Sequence, residues 1–337
     1  MPRFGVVMVL GAAVLVALIL LSVLYGSADI PLATVFTAIQ GGLGFGETAP
    51  APMERIVFEL RLPRALFSAV IGAGLGIVGA LLQTTTRNDL ADPFLFGLSS
   101  GAAAGAVFVI TVTGDVLGFW TLPLAAFTGG IIASLIVLAL VRSLQSDAPE
   151  KLILAGLAVS FLFAALTNYL IFAGDNRAAH SIVFWMLGGL GLARWDSLPL
   201  ILAGLGLILG LSLYRRRWLD ALLAGDTTAH SLGVPIARFR MGLFLACALA
   251  TAAFVSVAGV IGFVGLMVPH LARGLVGPLH GPLIPASAMI GAILLTASDL
   301  IARLVLAPQE IPVGIVTTSV GAVFVFVLLF GAQRRER

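Results

Sequence analysis

Charge is scarce in this chain. Asp, Glu, Lys and Arg make up only 10% of its 337 residues, where a soluble domain carries about 25%. So few charges cannot cover a water-facing surface of that size, which excludes a soluble globular protein. Lysine is scarcer still. Lys151, preceded by Ala148, Pro149 and Glu150, is the only one. A phosphate-binding loop of the G-x-x-x-x-G-K-[ST] type needs a lysine that reaches the phosphates, so the chain has no ATP site of that kind. Cys247 is the single cysteine, which rules out an intrachain disulfide and a cysteine metal cluster. The four histidines, His180, His230, His270 and His280, form no H-E-x-x-H pair, so a metalloprotease helix is absent. No cofactor or metal is expected.

Apolar residues are abundant, at 60% of the chain, and the mean hydropathy is +1.11. A membrane-spanning helix needs about 20 mostly apolar residues. By that rule the sequence predicts an all-α membrane protein with about ten transmembrane helices. They are Val6–Tyr25, Ala65–Leu82, Phe94–Val112, Leu122–Val141, Leu152–Ala173, Leu198–Tyr214, Phe239–Val257, Val260–Val276, Ile284–Val305 and Ile311–Phe330. Val6–Tyr25 exceeds the ~7–15 apolar residues of a signal peptide and is read as a retained first helix. A turn at Ala258–Gly259 separates the seventh and eighth spans, because residues 239–276 as one helix would be too long to cross unbroken.

An even count of spans puts both termini on one side. With both termini cytoplasmic, 13 of the 19 basic residues face inward and six (Arg55, Arg61, Arg64, Arg177, Arg194 and Arg303) face outward. This is the expected inward bias. The formal charge of +3 therefore reports topology and does not indicate nucleic acid. The six outer arginines are not required by orientation.

Two loops exceed the minimum. Ser27–Leu60 is rich in Gly and Pro, and its Ile30–Gln40 part has the pattern of a short interfacial helix. Arg215–Pro235 is amphipathic, with Leu219, Leu222 and Leu223 beside Asp220, Asp226 and Thr227, and reads as one or two short helices around Gly225. Such a segment lies on lipid headgroups or fits a partner's groove. Its acidic polar face, with His230, favours the groove. Between the second and third spans a polar break holds Arg87, Asn88, Asp89 and Asp92. Polar groups are costly in lipid, so this break must meet water or a protein interior. Gly72, Gly74, Gly76 and Gly79, and then Gly97, Gly101 and Gly105, have the small-residue spacing that lets helices approach closely.

Other candidates carry chemistry less directly. Gly97-Leu98-Ser99-Ser100-Gly101 matches G-x-S-x-G, the turn of serine hydrolases; an intramembrane serine protease would pair it with a histidine such as His270. Asp299 and Arg303 at i,i+4 are neighbours on one helix face, either as a structural ion pair or with Arg303 turned outward. Asp299 is also the strongest candidate for the intramembrane acid that an ion-coupled secondary transporter would need. Arg177 and His180 share a loop on the outer side. Pro269 beside His270 predicts a kink.

Particular motifs carry a resemblance. They are Arg61-Leu62-Pro63-Arg64, Gly79-Ala80-Leu81-Leu82-Gln83, Arg87-Asn88-Asp89-Leu90-Ala91-Asp92-Pro93 and Gly97-Leu98-Ser99-Ser100-Gly101-Ala102. Further along are Phe184-Trp185-Met186-Leu187-Gly188, Ala229-His230-Ser231-Leu232-Gly233-Val234, residues 262–273, and Glu310-Ile311-Pro312-Val313-Gly314. Over nearly its whole length the chain resembles the permease subunit of type II ABC importers, which take up iron-siderophores, haem and cobalamin. Asp89 departs from the pattern, in which proline follows the asparagine.

The resemblance implies a single transmembrane permease domain over residues 1–337, with a coupling segment at 218–234. It implies ten spans in an inverted pseudo-repeat and a homodimer with the pathway at its interface, in the bacterial inner membrane. The implied partners are a periplasmic substrate-binding protein and two cytoplasmic ABC ATPase subunits; the chain itself is no enzyme. Docking of the binding protein would fall on Arg61, Arg64 and Arg303. Coupling to the ATPases would fall on Leu219, Asp220, Leu223, Gly225, Asp226, Thr227, His230 and Gly233, and the inner gate on Asn88 and Leu90. The expected cargo is an iron chelate (haem or ferric siderophore) or cobalamin, with Arg177 and His180 able to meet a haem propionate or iron.

Overall fold

The computed structural model describes residues 2–28, 30–42, 50–143, 149–175 and 178–333. Among them there are helices and loops and no strand. This suits the composition, because a helix satisfies its backbone polar groups within its own segment and so tolerates lipid. The helices are α1 (Pro2–Leu24), α2 (Leu32–Gly42), α3 (Ala51–Arg55), α4 (Leu62–Thr86), α5 (Leu98–Phe108), α6 (Thr121–Ser143), α7 (Pro149–Ala173) and α8 (Ala179–Met186). There follow α9 (Leu198–Tyr214), α10 (Arg216–Leu223), α11 (Asp226–Ser231), α12 (Ile236–Ala258), α13 (Val264–Val276), α14 (His280–Leu304) and α15 (Val313–Gln333).

Among the described residues, eight helical stretches are long and apolar enough to cross a membrane. The third and eighth predicted spans are corrected: they appear as shorter apolar helices, Leu98–Thr113 and Val264–Val276. The physical reason is that apolar residues flanking both helices serve loops. Asp92 caps a 3-10 turn at Pro93–Phe96, accepting from the Phe94 amide at 3.0 Å, and α5 begins only after Gly97, whose φ is +79°. The predicted break at Ala258–Gly259 is present, with Gly259 at φ +63°, and the chain does not re-enter a helix until Val264. The predicted Ile30–Gln40 helix corresponds to α2, and Arg215–Pro235 forms two short helices hinged at Gly225.

Helix α4 is the buried centre of the bundle. It pairs most extensively with α14, and the two backbones meet at glycine. A Cβ on Gly72 would collide with the Gly291 carbonyl, and one on Gly291 with the Gly72 carbonyl. Helices α5 and α6 meet in the same manner at Gly101 and Gly129. The glycine stripes are therefore packing surfaces, as small residues are in lipid, where helices gain no hydrophobic drive from one another. Around them lie large side chains such as Phe96 and Phe244, fully buried with ring centroids 5.7 Å apart.

Candidate functional site

Charged groups collect at both ends of α4. At its start, Arg64 bridges Asp299 (Nε–Oδ1 2.9 Å) and Glu310 (Nη1–Oε2 2.6 Å). Arg303 forms an ion pair with the other oxygen of Asp299 at 3.0 Å. It also donates to the carbonyls of Ser22 (3.1 Å) and Tyr25 (3.3 Å) and to the Ser22 hydroxyl. Arg61 donates to the carbonyls of Val23 (3.1 Å), Leu24 (2.8 Å) and Ala28 (2.6 Å). The last turn of α1 has no basic residue of its own, and a helix C-terminus leaves carbonyls unpaired and favours cations. Arg61 and Arg303 supply both needs from other helices.

Arg61, Asp299 and Arg303 are 5%, 0% and 2% exposed. The sequence placed Arg61 and Arg303 among outer charges; the structure places both beneath the surface, engaged with this chain's own carbonyls and carboxylate. Of the three arginines, Arg64, with a side chain 14% exposed, reaches furthest toward solvent. A cavity of about 220 Å³ opens here, lined by Arg61, Arg64, Arg303, Glu310 and Ser27. Burial works to raise the Glu310 carboxyl, but Arg64, the Ser27 hydroxyl and Arg303 together hold it below the usual carboxylate range.

At the other end, Thr84, Thr85 and Thr86 bond back to the carbonyls of Ala80, Leu81 and Leu82. Arg87 ends the helix in the left-handed region at φ +49°. The Asn88 amide donates to the Gln83 carbonyl at 3.2 Å and the Ala91 amide to the Asn88 carbonyl at 3.0 Å. The Asn88 side chain accepts from the Leu90 amide at 2.9 Å. This ordered turn presents Leu90, 57% exposed, to a cavity of about 720 Å³ whose walls include Phe94, Phe263, Leu266 and Ile315. Asp92 borders the same cavity. Its buried Oδ2 makes no hydrogen bond within the described residues. Burial outweighs the nearby amides of Phe94 and Leu266 and pushes its carboxyl up to about 6.

Helices α10 and α11 lie against this end. Leu219 and Leu222 are fully buried, while Leu223 and Leu232 are exposed, and Thr227, His230 and Gly233 share the exposed side. Arg215 stacks over Trp218 at 4.0 Å, and Trp218 packs edge-on to Phe239. Asp220 accepts from the His280 amide and faces His280 Nδ1, both at 2.8 Å. On the far side of that ring, Nε2 lies 2.9 Å from the Thr84 hydroxyl. Asp226 is held bidentately by Arg240 (3.0 and 2.8 Å) and by Arg87 at 3.2 Å. Arg273 joins Asp89 at 3.3 Å and Gln83 at 2.7 Å.

The structure thus brings Asn88, Leu90, Asp220 and Asp226 together. It leaves Arg61, Arg64 and Arg303 at the opposite end of α4. His180 belongs to α8, where it stacks on Phe184 at 4.4 Å; Arg177 lies outside the described residues. Ser100 bonds the Gly97 carbonyl, buried Ser99 has no partner within the described residues, and His270 packs on Phe324. No hydrogen bond joins these serines to His270 among the described residues, so the protease arrangement is not formed. Thr84, Arg240 and His280 carry no mark in the sequence of the contacts they make here. Their partners lie 14 to 196 residues away, and no local spacing signals such pairs.

Long apolar helices closed by glycine contacts, with a large apolar cavity beside a polar turn and an amphipathic helix pair, define a polytopic membrane transport protein. The comparisons make this specific. The model of the FecCD transport family matches residues 14–331, and the chain belongs to that family. It is 39% identical over 307 residues to the cobalamin import system permease protein BtuC of Halobacterium salinarum, covering 90% of this chain and 80% of that protein. It is 38% identical over 291 residues to the hemin transport system permease protein HmuU of Yersinia pestis, covering 85% and 86%. Among solved structures it superposes on an inward-facing metal-chelate type ABC transporter with TM-score 0.75 and 31% identity, over 95% of this chain and 99% of that one. The protein is thus a multi-pass permease of the type II ABC importer class that serves iron chelates and cobalamin.

Proposed function

We propose that this chain imports an iron chelate (haem or ferric siderophore) or a cobalamin-type molecule from periplasm to cytoplasm by alternating access, as one permease domain spanning residues 1–337. In this reading two copies form a homodimer in a bacterial inner membrane with both termini cytoplasmic. A periplasmic binding protein delivers the cargo, and two cytoplasmic ATPases supply the energy. The exposed face of α10–α11, with Leu223, Thr227, His230 and Gly233, is the docking face for the ATPases. Leu90 and Asn88 form the inner gate beside the large apolar cavity. Arg64, at the mouth of the smaller cavity, is the readiest contact for a carboxylate of the binding protein; Arg61 and Arg303 hold that mouth in shape and become accessible only through it. His180 and Arg177 are assigned to the cargo's path.

One observation carries this reading: an amphipathic helix pair with an exposed face is bonded through two carboxylates to the end of the central helix. Such a face fits a partner's groove, as an externally powered permease requires. The ion-coupled alternative is also weakened, since the carboxylate of Asp299 is paired with two arginines. The test is reconstitution. Vesicles holding the permease, its ATPase and ATP should accumulate cargo only when the binding protein is present outside. Accumulation by the permease alone under an ion gradient would overturn the reading. Growth of a deletion strain on haem, ferric siderophore or cobalamin supplied singly identifies the cargo.

A further inference from the structure

Two carboxylates on the α10–α11 pair reach the same final turn of α4. Asp220 does so through His280 to Thr84, and Asp226 does so directly through Arg87. The two links differ in kind. His280 is fully buried, and Asp220 also accepts its amide at the start of α14, so this tether anchors α10 to the bundle. Asp226 is 37% exposed at its side chain and Arg87 42%. An ion pair so exposed is screened by water and contributes little to stability. It is nonetheless held in place from both sides. Arg240, on buried α12, forks onto Asp226. Gly225, at φ +110°, sets the carboxylate beside Arg87, whose Nη2 would lie 3.3 Å from any Cβ added there.

Arg87 is also the residue immediately before Asn88. The turn that follows it is fixed by the Asn88–Leu90 and Asn88–Ala91 bonds and ends on Leu90 at the large cavity. We propose that Arg87 is the positioning residue that delivers displacement of α10–α11 to the Asn88–Leu90 turn, with Asp226 as its handle. The backbone strain of a non-glycine residue in the left-handed region is tolerated because that conformation aims the guanidinium back at Asp226.

This rests on the reading of the protein as an ATP-driven permease, and the experiment separates the two. The complete complex of permease, ATPase and binding protein is reconstituted as wild type, Arg87→Ala, Arg87→Lys and Asp226→Asn. Cargo taken up per ATP hydrolysed is measured, together with thermal unfolding and the amount of ATPase that co-purifies. If the wild type takes up no cargo in response to ATP, the functional reading fails. Given wild-type uptake, Arg87→Ala and Asp226→Asn should lower uptake per ATP roughly tenfold, a typical size for coupling between sites. Co-purified ATPase should stay unchanged in both, and the unfolding temperature should stay unchanged in Arg87→Ala; Asp226→Asn also strips the carboxylate charge from buried Arg240 and is read by its uptake ratio, and Arg87→Lys should recover part of that ratio. A wild-type ratio in Arg87→Ala would overturn the proposal. So would a fall explained by lost ATPase binding, which would make Arg87 a docking residue instead.

Discussion

The two ends of α4 carry similar charges in opposite settings. At its start, two arginines and an aspartate are nearly dry, and their bonds run to buried carbonyls and carboxylates. At its end, Asp226, Arg87 and Asp89 keep between a third and three quarters of their side chains in water. Burying ions is expensive, and a buried pair holds firmly mainly because losing one member strands the other. Exposed pairs exchange readily with water and contribute little. One helix thus carries a lock at one end and a movable joint at the other. The same residue types serve both, and solvent access separates the Arg87–Asp226 pair from the Arg303–Asp299 pair, although Arg240 and His280 beside the former are buried.

The contrast can be broken most directly at Asp299. Asp299→Ala leaves Arg303 buried beside α1 without its carboxylate and removes one of Arg64's two partners. It should cost about 3–5 kcal/mol, read as a large fall in unfolding temperature of the purified permease; a loss no greater than that of a surface pair would show that the lock is not one. A smaller effect is expected from Glu310 at the rim of the same cluster. Its carboxyl is held below its ordinary value of 4.5, so its contribution is complete above that pH and is lost as pH falls through the lower folded value. Unfolding followed from pH 6 downward should show an acid limb that Glu310→Gln removes. The smallest effect belongs to the joint. Asp89, 76% exposed at its side chain against Arg273, should change stability by less than about 1 kcal/mol on conversion to Ala, and a larger loss would erase the difference between the two ends.

Much of this was legible in the sequence. The long apolar runs marked the eight helices of spanning length, the amphipathic run around Gly225 marked α10 and α11, and the i,i+4 spacing of Asp299 and Arg303 marked one side of the lock. Its other members, Arg64 and Glu310, were not legible as partners, because nothing local relates residues 235 and 246 positions apart. The shortening of the third and eighth spans was hidden for a different reason. Leu90, Phe94, Val260 and Phe263 are as apolar as any residue facing lipid, but they line a cavity, and hydropathy does not distinguish the two surroundings. Burial of Arg61 was equally invisible, since the α1 carbonyls that draw it inward are set by how α1 meets α4.

The contact between Gly72 and Gly291 bears on how the lock and the joint can move. With bare backbone touching there, turning α4 about its own axis would drive a neighbouring side chain into α14. Gly76 and Gly79 meet the carbonyls of Ser287 and Gly265 as closely, so α4 is clasped by α14 and α13 at several points along its length. Any movement of α4 that keeps these contacts must carry its two neighbours with it, so the three helices are joined as one body.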